Sequence, residues 1–187
     1  MECCMSYNAS LTSPAQFGVA KIGTGLTAAN GVISASQGLL NYGFFTDGTQ
    51  TNPVASAVNL VTLNAAGPTN GISVVGGTAI TVANAGTYTK MFTLTVAKTS
   101  GGTSDISFWL RYNGVDVAGS RQDLELTNTL ALIFASGNFT LNMAAGSNIQ
   151  MCWSSADTTV ALTALPASVA PIRPTGSSAK ITLTRIS

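Results

Sequence analysis

Asp123 and Glu125 stand two positions apart, which on a strand puts both carboxylates on one face, and Asp116 is close by in sequence. Two carboxylates held about 5 to 9.5 Å apart can hydrolyse a glycosidic bond, one as acid and the other as nucleophile or base. Arg121 shares that face, so a solvated, ion-paired strand is the simpler account, since spacing alone fixes neither depth nor pKa. Composition closes the other routes. The 187 residues include no histidine, which excludes Ser-His-Asp and Cys-His arrangements and leaves the many serines and threonines without an activating base. Adjacent Cys3 and Cys4 could begin a metal site, but with Cys152 as the single further thiol the ligands run short. Gly23-Thr-Gly25 opens no helix and therefore cradles no phosphate. The expectation is a protein that is not an enzyme and holds neither cofactor nor metal.

The elements that position these residues are strands. From Ala79 to Val117 the chain holds two long alternating runs. Tyr88, Phe92, Leu94 and Val96 recur at every second position, broken by Lys90, with threonines between them; Ile106, Phe108, Leu110 and Tyr112 share a face opposite Trp109 and Arg111. The Gly-rich link Lys98–Ser104 predicts that the two runs are antiparallel neighbours. Further short strands are expected around Tyr42–Thr46, Ala57–Leu63 (Val58 and Leu60 on one face), Ile72–Val75, Ile80–Val82, Leu124–Leu126, Leu130–Phe134, Phe139–Met143, Ile149–Trp153, Val160–Ala164 and Ile181–Leu183. Turn signals such as Gly76-Gly77, Asn113-Gly114 and Ser136-Gly137-Asn138 separate them. Pro166 and Pro171 interrupt the Ala-rich piece that could otherwise suggest a helix. Many short strands at this spacing indicate an all-β antiparallel sandwich or barrel.

Charged residues make up 8% of the chain and hydrophobic ones 45%, against about a quarter charged in ordinary soluble domains. A surface so poor in charge is expected to be covered by copies of the chain or by a larger assembly. A net charge of +1 gives no electrostatic reason to bind nucleic acid, and no apolar run approaches the ~20 residues that cross a bilayer. The first residues lack a basic segment followed by an apolar one, so no secretory leader is expected. Cys152, inside a strand-like run, reads as a packed thiol, and the reduced cysteines fit synthesis in a cytoplasm. Residues 1–16 have no periodicity and read as an arm, and Phe17–Ser34 as a small β bead.

Gly71-Ile-Ser, Ala79-Ile-Thr-Val, Ala85-Gly-Thr-Tyr88, Ile106–Gly114, Ile149–Trp153 and the closing Pro174–Leu183 together resemble the jelly roll of tumour necrosis factor and complement-head proteins. More specifically the chain resembles small jelly-roll proteins of tailed-bacteriophage virions, found as capsid decoration proteins and in tail fibres. The resemblance covers residues 42–187. It implies an antiparallel jelly-roll trimerisation domain over 42–187, preceded by an arm and bead over 1–41 that make the assembly contact. It also implies a homotrimer with one sheet of each protomer facing the threefold axis, attached to the major capsid protein on the virion surface and made in the host cytoplasm. Candidate trimer-interface residues are Trp109, Trp153 and Tyr88; both tryptophans could equally lie in one protomer's core if the register is shifted by one. Candidate capsid contacts are Tyr7, Phe17, Lys21 and Ile22. Three roles follow from the resemblance: a capsid cement protein, a tail-fibre protein recognising a host saccharide, and a secreted signalling trimer.

Overall fold

The computed structural model describes residues 26–29, 32–35, 40–48, 54–127 and 132–187. The chain divides into two compact units, Met1–Leu39 and Leu40–Ser187. In the first, β1 (Leu26–Ala29) and β2 (Val32–Ala35) pair antiparallel, Leu26 opposite Ala35. The rest of the expected arm and bead, with Tyr7, Phe17, Lys21 and Ile22, lies outside the described residues.

The second unit runs β3 (Tyr42–Asp47), β4 (Asn59–Leu60), β5 (Ala65–Asn70), β6 (Ile72–Val75), β7 (Ala79–Val82), β8 (Gly86–Lys98), β9 (Ser104–Tyr112), β10 (Val115–Asp116), β11 (Gln122–Leu126), β12 (Leu132–Met143), β13 (Asn148–Ser154), β14 (Val160–Leu162), β15 (Ser168–Val169), β16 (Ile172–Arg173) and β17 (Ala179–Arg185). A six-stranded sheet has the order β12-β8-β17-β3-β5 with β14 also on β8, and a seven-stranded sheet has β10-β9-β13-β7-β6 with β11 also on β9 and β4 also on β13. The last long strand, β17, sits between β8 and β3. Every pairing is antiparallel, and the fold is the all-β jelly-roll sandwich expected from the sequence.

One expected pairing is replaced. β8 and β9 are not hydrogen-bonded neighbours; they lie in opposite sheets. Both arrangements satisfy the same alternation, but in the sandwich the inward faces of the two runs, Tyr88, Phe92, Leu94 and Val96 from one and Ile106, Phe108 and Leu110 from the other, are buried in a shared core. The phase of the segment around β4 also differs. Val61 and Leu63 point inward and are buried, while Val58 is exposed.

β12 corrects a third expectation, because Ser136-Gly137-Asn138 is not a turn. The strand continues through it for 12 residues, paired with β8 without a register break from Leu132↔Ala97 to Met143↔Gly86. Gly137 serves a close approach rather than a reversal. A Cβ there would stand 2.9 Å from the Phe92 ring, which lies parallel to Phe139 with centroids 6.0 Å apart and 8° between planes.

Candidate assembly face

The two outward faces of the sandwich differ in charge. β9 and β11, with the residues flanking them, place Asp105, Arg111, Asp116, Arg121, Asp123 and Glu125 on the outer side of the seven-stranded sheet. Arg111 Nε donates to Asp116 at 2.8 Å and Arg121 Nε to Asp123 at 2.8 Å, while Ser107 Oγ donates to Asp123 at 2.6 Å. These hydrogen bonds, led in each case by the arginine's, hold the carboxyls of Asp116 and Asp123 below the usual carboxylate range. A general acid for glycoside hydrolysis needs the opposite shift. Asp123 of the acidic pair singled out by spacing is therefore an ion-paired surface carboxylate. Glu125 lies directly opposite Asp105 in the ladder. Among the described residues no group of three or more His, Cys, Asp or Glu could hold a metal ion, and no helix is long and apolar enough to cross a membrane.

On the six-stranded sheet, Lys180 is the one charged side chain among the outward-facing described strand residues. The alternation that sends Tyr88, Phe92 and Leu94 inward sends Thr87, Thr89, Met91 and Thr93 outward. Met91 is 59% exposed. Neighbouring strands add Tyr42 and Phe44 from β3 and Leu132 and Phe134 from β12, with Phe134 58% exposed. Neutral ladders tie the strands together: Thr87 Oγ1 donates to Asn142 Oδ1 at 2.9 Å, and the Thr89 and Thr140 hydroxyls are 3.3 Å apart. A shallow depression of about 610 Å³ lies between Phe44, Met91, Ser136, Asn138 and Lys180. Such a mixture of exposed aromatics, a methionine and uncharged polar groups has the composition of an interface core, where charge is depleted and aromatics and Met are enriched.

The residues nominated from sequence fall elsewhere. Tyr88 is fully buried between the sheets, where its hydroxyl donates to Asn84 O at 2.7 Å and burial raises its pKa. Trp153 is also fully buried in the core, with no hydrogen-bond partner for Nε1 among the described residues. Neither presents surface to another copy, because both sit on inward-facing positions of central strands. Trp109 does face outward and is half-buried, but on the charged sheet, level with Cys152 in the ladder. The signal for Phe44, Met91 and Phe134 was present in the sequence as the threonine face of β8 and the apolar residues that share its side.

Two lysines lie inside. Lys98 Nζ, fully buried, is 3.3 Å from Asp157 Oδ2 and donates to Gly102 O and to Ser104 Oγ, whose own hydroxyl donates to Asp157. Together with Thr159 N, which donates at 2.9 Å, this network holds the Asp157 carboxyl well below its ordinary value, the Ser104 hydrogen bond contributing most. Every partner is engaged, so the cluster staples the 98–104 link to the 155–159 loop. Lys90 is different. It points into the core with its Nζ 3.1 Å from Met151 Sδ and 5.5 Å from the Phe92 ring centroid, and burial pushes its pKa down to about 7.

No family model matches the chain, and no curated protein matches it in sequence. Solved structures do match in fold. The Eiger TNF from S. frugiperda superimposes with a TM-score of 0.50 at 14% identity, over 80% of this chain and 94% of that one. Murine APRIL gives a TM-score of 0.48 at 11% identity, over 79% and 99%. The similarity to Eiger, with the strand order above, defines the class: an all-β jelly roll of the tumour necrosis factor type.

Proposed function

We propose that the chain is a virion structural protein, a homotrimeric capsid decoration protein that stabilises a phage head by bridging major capsid subunits. The observation that carries this reading is the division of charge between the two outward faces. The face bearing Phe44, Met91 and Phe134 is suited to a second and third copy, and the face bearing the ion pairs to water and to a larger partner. Apolar area removed from water is worth about 25 cal/mol per Å², so closing this face between protomers offsets the lack of charge. A trimer presents each of its capsid contacts three times, and avidity then supplies firm attachment without any catalytic site.

The test has two arms. Met91→Lys places a second charge on this nearly neutral face, and in sedimentation its mass should fall to one third of the wild-type value with the circular dichroism spectrum unchanged. A trimer that survives the substitution refutes the interface. Purified trimer added to undecorated heads, located by labelled antibody in the electron microscope, should coat the shell; label on the tail alone would favour a tail-fibre or receptor-binding role. One feature favours that alternative. A depression lined by Ser56, Thr103, Asp105, Ser154 and Thr158 offers hydroxyls and a carboxylate of the kind that hold a saccharide.

A further inference from the structure

Three of the four sheet borders carry a device against further strand pairing. β5 contains Gly67-Pro68, and its ladder with β3 shifts register between Gly43 and Phe45. β6 has four residues and β4 two. β10 has two residues, and β11 carries Asp123 and Glu125. The fourth border, β12, has none of these. Its 12 residues, LIFASGNFTLNM, include no proline and no charge, and the pairing with β8 has no bulge.

A second observation comes from depth. The inward side chains of β8, namely Tyr88, Lys90, Phe92, Leu94 and Val96, are all at most 3% exposed. Those of β12 next to them, Ile133, Ala135, Phe139 and Leu141, are only partly buried against the core. Among the described residues nothing covers this border's outer backbone groups or the core-facing apolar surface beside them, and one more strand would cover both.

We propose that β12 is a strand-pairing edge, at which β12 of a second copy adds antiparallel about a twofold axis and joins two six-stranded sheets into one. The strand is its own suitable partner. Antiparallel registers that keep each face on its own side set Ser136 against Asn138 and Phe134 against Thr140, with no charge opposed to any other. The contact is isologous, so each edge takes one partner, and two trimers joined through their three edges close at six copies. It shares β12 with the threefold reading, whose face includes Leu132, Phe134 and Asn138, but it uses the strand's backbone where that face uses side chains, and the two contacts divide the mass by different factors.

Amide exchange and sedimentation of the full chain test it together. In the wild-type protein, successive amides across 132–143 should all exchange slowly, whereas an unpaired edge leaves alternate amides open to water. Asn138→Lys supplies the charge that natural edges use; it should halve the mass of the largest species and return alternate amides to fast exchange. Halving separates this contact from loss of the threefold, which cuts mass to one third. Fast exchange at alternate amides in the wild-type chain overturns the proposal, as does unchanged mass in Asn138→Lys; the first needs no variant to fold.

Discussion

Lys90→Met replaces the buried amine with an apolar side chain of similar length, and the effect expected is stabilisation. In the unfolded chain the amine has its ordinary pKa of 10.5, and in the core it falls to about 7 because burial penalises the charged form, with the nearby Cys152 a small opposing influence. At about 1.4 kcal/mol per pH unit, the gap between 10.5 and about 7 makes the wild-type fold about 5 kcal/mol less stable below pH 7 than it would be with a neutral amine. The sign follows from proton counts. Between pH 7 and 10.5 the unfolded state holds the proton and the folded state does not, so stability rises with pH across that window. From pH 7 to pH 9 the wild type should gain about 2 kcal/mol from this group, and Lys90→Met should lose that rise while gaining up to about 4 kcal/mol at pH 7. Denaturant unfolding followed by tryptophan fluorescence at the two pH values, at one protomer concentration, measures both. A variant no more stable than wild type at pH 7, or one that keeps the full rise to pH 9, would refute the desolvated amine.

Two further outcomes concern packing and the second lysine. Gly137→Ala places a methyl against the Phe92 ring and should cost about 1 to 3 kcal/mol in the same denaturation assay, while leaving the 132–143 strand paired with β8. Asp157→Asn leaves the buried Lys98 ammonium without its carboxylate. That should cost about 3 kcal/mol near neutral pH. Because the Asp157 pKa is depressed in the fold, the wild type should lose this contribution as pH falls below the unfolded carboxyl value, and the variant should show a shallower acid limb.

Much of the sandwich was legible because local signals left few alternatives. Gly76 and Gly77 take positive φ in the turn between β6 and β7, and Asn113 and Gly114 do the same between β9 and β10, as their residue types predict. The alternation at Tyr88–Val96 and Ile106–Leu110 assigned inward faces correctly. It could not assign sheets, since a strand's apolar face is buried equally well beside a neighbour or across from one, and only long-range pairing with β12, β17 and β13 distinguishes the two. The tryptophans divided for a related reason. The register read from Ile106, Phe108 and Leu110 places Trp109 outward, whereas Trp153 shares its side with Ile149 and Met151 and goes in with them. Lys90 broke the apolar run in sequence, and spacing alone does not reveal that its strand carries the amine into the core.

Gly137 hid the exposed apolar face most effectively. Read as a turn, it lets Leu132 and Phe134 point inward like Phe139, Leu141 and Met143. In the continuous strand the two sets stand on opposite faces, because even and odd positions cannot share a side. A protomer alone must then leave Leu132 and Phe134 exposed, and it does so on the sheet face whose one charged described strand residue is Lys180. The same glycine admits the Phe92 ring and so keeps β12 flat against β8 for its whole length. One residue without a side chain thus fixes the core stacking, turns two large apolar side chains outward, and preserves an unbroken edge. Each of these consequences favours a chain whose stability is completed by neighbouring copies.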